Sequence, residues 1–152
     1  MTPEPFTPEQ LRRAIRPTLG DTIPIEWFRL LRLNAMYEVL GEAADDTLYL
    51  IGRSFGKRMA PKTMEEFSDG FAHMGLGRMR LLSRDDTRLE MELAECATCS
   101  GLPDQGRPLC SFEAGFIAGG VESITGRRAR ARETSCASMT RGDACRYEVQ
   151  LL

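Results

Sequence analysis

Residues 77–95 read GRMRLLSRDDTRLEMELAE. Met79 and Leu81, then Leu89, Met91 and Leu93, alternate with polar or charged residues, and Arg84-Asp85-Asp86-Thr87 separates the two runs. Alternation on either side of a polar turn predicts a β-hairpin, about residues 77–83 with 88–95. Upstream the period is different. Thr7-Pro8-Glu9-Gln10 has the form of a helix start, with Thr7 as N-cap, Pro8 in the first helical position and Gln10 reaching back. That helix is expected to stop near Arg16, because Pro17 follows. Helical spacing recurs over 25–40, 46–60 and 63–74, with Gly41 and Pro61 as breakers and Thr63 with Glu66 as a capping box.

Downstream of the hairpin, residues 96–108 form a Gly/Pro/Asp/Ser-rich loop, and 109–124 return to helical spacing. Gly115, Gly119 and Gly120 are poor helix formers, so a strand or a ligand is expected to approach that helix closely. Residues 127–133 and 144–151 read as two further strands, joined by a turn near 140–143. The expectation is an α+β domain: N-terminal helices packed on a four-stranded antiparallel sheet built as β-β-α-β-β. Residues 1–6 are expected to be a flexible tail and 7–152 a single domain.

With 152 residues, 42% hydrophobic and 28% charged, the chain is large enough for its own core. A formal net charge of −2 argues against a nucleic-acid partner. No apolar run approaches the roughly 20 residues that span a bilayer. The N-terminus MTPEPFTPEQ has neither a basic nor an apolar leader region, which implies a cytoplasmic location.

All five cysteines fall between Cys96 and Cys145. An odd number in a reducing compartment disfavours a disulfide framework. Three readings stay open: a metal site, a redox dithiol at Cys96-Ala97-Thr98-Cys99, or buried inert thiols. No βαβ context surrounds the C-x-x-C pair, which weakens the redox reading. Cys110 opens a helix, whose dipole favours a thiolate there. Cys136 closes one strand and Cys145 begins the next. Cys110, Cys136 and Cys145 can therefore converge with Glu133 around one ion, and three thiolates with a carboxylate suit a closed, structural zinc site.

Four segments carry a resemblance: Glu95 to Cys99, Leu109-Cys110-Ser111-Phe112-Glu113-Ala114-Gly115 through Gly119, Glu133 to Cys136, and Gly142-Asp143-Ala144-Cys145-Arg146-Tyr147. The ordered set C-x-x-C, C-x-F-x-x-G-x-x-A-G, E-x-x-C and G-D-x-C-x-[FY] resembles the 4-vinyl reductase (4VR) domain over residues 76–151. The resemblance implies a fold similar to the nitric-oxide-signalling and Golgi-transport ligand-binding domains. It implies a hydrophobic small-molecule ligand, aromatic or tetrapyrrole-like, and a homodimer. In the family's phenol sensors a zinc is held at positions matching Cys110, Glu133, Cys136 and Cys145, with Cys96 and Cys99 as alternates here. The family's link to (bacterio)chlorophyll biosynthesis implies an accessory protein or enzyme as a second reading, and a ligand-free dimeric scaffold as a third.

Candidate ligand contacts are Trp27, Phe71, His73, Phe112, Phe116 and Gly119, with Phe28, Tyr37 and Phe67 as further aromatic walls or core. There is no G-x-G-x-x-G loop, no P-loop and no Ser-His-Asp order, so no residue is assigned a catalytic role. Arg128, Arg130 and Arg132 would share one strand face, opposite Ala129 and Ala131, as a solvated outer surface.

Overall fold

The computed structural model describes residues 2–152; Met1, the first residue of the expected tail, lies outside them. Helix α1 (Pro8–Arg12) starts as its sequence dictates. Thr7 accepts the Gln10 N–H, and the Gln10 side chain accepts the Thr7 N–H at 2.8 Å. It ends at Arg12 rather than Arg16 because it buries no residue. A short helix with no packed face has little beyond its cap to sustain it.

The helical stretch expected over 25–40 is present, but it is not uniform. It runs as α2 (Ile25–Arg29), a π-helical turn (Leu30–Ala35) and α3 (Met36–Leu40). Arg32, the first buried residue of the described chain, lies in the π-helical turn. After a 3-10 turn (Gly41–Ala43), α4 (Ala44–Met59) ends at Ala60, whose φ of 47° is left-handed, just before Pro61. In α5 (Met64–His73) Thr63 accepts the Glu66 N–H at 3.1 Å. Glu66 reaches back one residue further than a capping box requires, to the Lys62 N–H at 2.8 Å.

The alternating stretch is the hairpin β1 (Arg78–Arg84) and β2 (Arg88–Ala94). Helix α6 (Ser111–Thr125) follows, then β3 (Ala129–Ser135), a short helix α7 (Ala137–Thr140) and β4 (Ala144–Leu151). The four strands form one antiparallel sheet in the order β1-β2-β4-β3. Leu89, Met91 and Leu93 of β2 and Cys145, Tyr147, Val149 and Leu151 of β4 all turn inward and are buried. The outer face carries cross-strand ion pairs: Glu92 with Arg80 and Arg146, and Glu148 with Arg88 and Arg132. The expected alternation on β3 holds: Ala129 and Ala131 are buried, while Arg130 and Arg132 are exposed.

All helices in the core lie on the inner side of the sheet. Helix α6 is central, and every residue from Phe112 to Val121 is buried. A helix apolar around its whole circumference must be covered on all sides. Here the sheet covers one side and α4 the other. The close approach at the α6 glycines is made by α4, not by a strand or a ligand. A Cβ on Gly115 would lie 1.9 Å from the Tyr49 carbonyl oxygen, and one on Gly119 would lie 2.2 Å from that of Arg53. The relation is mutual: a Cβ on Gly52 would meet the Phe112 carbonyl oxygen at 2.0 Å, and one on Gly56 would meet that of Phe116 at 2.2 Å. Gly120 makes room instead for the Phe67 ring.

Candidate metal centre and adjoining cleft

The site forms where three chain segments end against the N-terminus of α6. Cys110 is the residue before α6, and its amide hydrogen-bonds to Glu133 Oε2 at 3.0 Å. On β3, strict alternation would place Glu133 and Cys136 on opposite faces, since they are an odd number of residues apart. The register shifts between Glu133 and Ser135. This bulge reverses the parity, so both side chains reach the same interior region. Cys145 opens β4 on the inward-facing row and accepts the Ala137 N–H at 3.4 Å. Amide-to-sulfur bonds of this kind favour the thiolate form.

The side chains of Cys110, Glu133, Cys136 and Cys145 offer ligand atoms that all lie within 4.8 Å of one another. A second set of four meets the same limit: Cys96, Cys99, Cys110 and Cys145. All five cysteines are buried and none is in a disulfide. Four buried cysteines this close together can hold a metal ion. Sulfur separations are 3.6 Å for Cys96–Cys110, 3.2 Å for Cys99–Cys145 and 3.9 Å for Cys110–Cys145. A tetrahedral ion with metal–sulfur bonds of ~2.3 Å sets its sulfurs about 3.8 Å apart, so small adjustments suffice. The structure thus brings together every candidate ligand expected from the sequence, alternates included.

Electrostatics at the centre reflect crowding of acidic groups. Hydrogen bonds from neighbouring thiols, Cys110 first, hold Cys96 and Cys136 well below the ordinary thiol range, whereas the Cys136 bond pushes Cys110 up. Burial pushes the Glu133 carboxyl up to about 8, and the adjacent Cys136 adds to the rise. Glu133 Oε1 is buried with no hydrogen-bond partner, as is the Tyr147 hydroxyl across the β3–β4 register from it. A carboxylate oxygen left unpaired beside three sulfurs is what an oxygen ligand to a thiophilic divalent ion looks like before the ion is added.

A buried polar group that the sequence reading did not single out supports the centre from behind. Arg32 and Glu113 form a bidentate pair, both contacts 3.0 Å, with side chains almost wholly buried. The Arg32 guanidinium also packs on the rings of Phe28 and Phe112 at 4.3 and 4.1 Å. Glu113 accepts the hydroxyl of Thr98, inside the C-x-x-C segment, at 2.6 Å. Burial raises the Glu113 pKa against the opposing pull of Arg32. Arg29 clamps the same segment through the carbonyls of Ala97 and Ser100, both at 2.8 Å.

The expected ligand contacts separate. Phe71, Phe112 and Phe116 join Phe67 and Phe55 in an edge-to-face and stacked aromatic cluster within the core. Gly119 faces α4, and His73 is exposed at the end of α5. Trp27 alone of the set lines an open cleft. That cleft has a volume of about 630 Å³ and lies between Trp27, Leu30 and Leu33 on one wall and Leu102, Arg107 and Leu109 on the other. Its second wall is the loop that connects Cys99 to Cys110.

Residues 89–151 match the model of the 4-vinyl reductase (4VR) domain. The protein MJ1642 of Methanocaldococcus jannaschii is 32% identical over 134 residues, a span covering 88% of this chain and 81% of the relative. The chain belongs to the 4VR family. A solved vinyl-4-reductase family protein from the same organism superimposes with a TM-score of 0.69 at 27% identity, covering 88% of this chain and 85% of that one. The phenol-responsive sensory domain of the transcription activator PoxR, solved with phenol, shares the fold. Its TM-score is 0.72 at 18% identity, over 85% of this chain and 75% of that one. A trafficking protein particle complex subunit 3 from Naegleria fowleri, covalently bound to palmitic acid, shares it too, with a TM-score of 0.61 at 14% identity over 84% and 95% of the two chains. This 4VR chain therefore has the expected fold class, including its likeness to the Golgi-transport subunits. Among the described residues no helix is long and apolar enough to cross a membrane.

Proposed function

We propose that this 4VR chain is a small-molecule-binding module, a sensor or carrier for a hydrophobic aromatic or tetrapyrrole-like ligand. In this reading a structural zinc held by Cys110, Glu133, Cys136 and Cys145 staples α6 to the β3–β4 connection. The observation that carries the zinc reading is the unpartnered, buried Glu133 Oε1 within 4.8 Å of three cysteine sulfurs. A closed shell of four protein ligands leaves no position for substrate, so the ion's contribution is stability.

The ligand reading is supported by the cleft beside Trp27, with apolar walls from Leu30, Leu33, Leu102 and Leu109 and polar groups from Arg29 and Arg107. Apolar walls with a few charged groups suit an aromatic ligand bearing a hydroxyl or carboxylate. The PoxR domain, which shares the fold, was solved with phenol. The cleft wall and Cys99 and Cys110 belong to one loop, and Arg29 lines the cleft while holding Ala97 and Ser100. Ligand occupancy and the order of the metal loop are therefore coupled in this account.

A homodimer is part of the same proposal. Leu11, Ile15, Leu19, Ile23, Trp27 and Leu31 are all more than half exposed, an apolar surface that a second copy would cover. Native mass spectrometry of protein purified without chelator tests the three parts together. The expected species is two chains with zinc, and phenol titration is expected to change the fluorescence of Trp27, the single tryptophan. A metal-free monomer whose fluorescence ignores phenols would refute the proposal.

A further inference from the structure

We propose that the cysteine cluster is a binuclear thiolate centre, in which Cys110 and Cys145 bridge two divalent, sulfur-preferring ions. The inference rests on the single-ion reading and extends it. One ion takes Cys110, Glu133, Cys136 and Cys145; the other takes Cys96, Cys99, Cys110 and Cys145. The two sets of four are the two groups of mutually close donors, and they share only those two sulfurs.

Three observations support the second ion. First, the geometry of the shared edge is right. Cys110 and Cys145 lie 3.9 Å apart, about the edge of one zinc–sulfur tetrahedron, so the same edge can serve two tetrahedra. Each outer sulfur of the C-x-x-C pair already touches one bridging sulfur, Cys96 against Cys110 and Cys99 against Cys145. Second, the C-x-x-C segment is built to hold its thiols inward. Glu95 takes a left-handed φ of 52° immediately before Cys96, and Ser100 N–H closes the turn on the Cys96 carbonyl at 3.0 Å. Arg29 and the buried Thr98–Glu113 hydrogen bond fix the same turn from outside. Cys96 and Cys99 are 1% and 0% exposed.

Third, the charges balance. Loading releases the protons of all five thiols to solvent, so with Glu133 the shell carries six negative charges. Two divalent ions reduce that to minus two, the residual charge of one zinc in four thiolates. A single ion would leave Cys96 and Cys99 as neutral thiols pressed against metal-bound sulfurs. Both bridges are cysteine sulfurs, so no inorganic sulfide is required.

Full-length protein reconstituted with cadmium-113 tests this through metal-to-protein ratio and NMR. The expected result is two cadmium ions per chain and two resonances, that of the all-sulfur site further downfield, each split by the other through the shared sulfurs. In the Cys96→Ser/Cys99→Ser double variant one ion and one unsplit resonance remain. One ion in the wild type that survives the double variant and is lost in Cys136→Ser overturns the binuclear centre and leaves the single-ion reading standing. One ion lost in the double variant overturns both, as does a chain that binds none. Two unsplit resonances, or iron with acid-labile sulfide in the purified protein, also overturn it. If the double variant fails to fold, the wild-type ratio and splitting still decide.

Discussion

Glu133 gives one carboxylate oxygen to the Cys110 amide at 3.0 Å and keeps the other buried and unpaired. The first contact fixes the carboxylate at the start of α6. The second leaves an acceptor whose desolvation costs about 1–3 kcal/mol unless something fills it. Glu133→Gln keeps the amide contact and removes the charge. It is expected to lower zinc affinity by at least about 100-fold, as read by competition with a chromophoric chelator, since even supporting groups of metal sites cost about 10- to 100-fold. Unchanged affinity would remove Glu133 from the ligand set.

The α4–α6 contact makes a prediction that runs against helix propensity. Alanine favours a helix interior over glycine by roughly 1 kcal/mol. At Gly52 or Gly119, however, the added methyl meets a backbone carbonyl, which cannot rotate away. Gly119→Ala is expected to destabilise the protein by about 1–3 kcal/mol in urea unfolding, the range for overpacking. Stabilisation would show that the two helices separate readily.

Arg32 and Glu113 predict a strong dependence of each on the other. Removing one partner of a buried pair leaves an uncompensated charge and costs about 3–5 kcal/mol. Arg32→Met and Glu113→Gln are each expected to approach that loss. The double variant Arg32→Met/Glu113→Gln is expected to be less destabilised than the sum of the two, because it leaves no lone charge behind. Simple additivity in the double-mutant cycle would mean that the pair acts as two independent side chains.

Glu122 supplies a pH dependence. Burial works against its charge, but the Ala129 N–H, Lys57 and Arg53 outweigh burial and hold its pKa below the ordinary value of 4.5. A depressed folded pKa contributes stability that is present above the unfolded value and lost as pH falls through the folded one. Glu122→Gln is therefore expected to cost about 1–2 kcal/mol near neutral pH, with the gap to wild type closing in acid. A constant gap from pH 7 down to acid unfolding would exclude this role.

The sheet was readable because β2 and β4 bury one face, and a half-buried strand shows its period directly in Leu89-Glu90-Met91-Glu92-Leu93. The candidate metal ligands were readable because cysteine has few uses in a reducing setting and the E-x-x-C and G-D-x-C spacings are compact. Three features were not. The glycines of α6 announced a close neighbour, but only the complementary Gly52 and Gly56 of α4 show which one. Those lie some sixty residues upstream, in a helix whose pattern looks ordinary. Arg32–Glu113 was hidden because each residue alone looks like a surface charge, and only the fold brings them together. The bulge after Glu133 was hidden because a parity change in a strand needs its partner's register to be seen.

Zinc content bears most directly on the central claim. Protein purified without chelator is expected to carry at least one equivalent of zinc per chain by elemental analysis, and the Cys136→Ala variant to carry less. Wild-type protein with less than about one tenth of an equivalent, still cooperatively folded, would contradict the account, since a structural ion's binding energy is part of its folding energy.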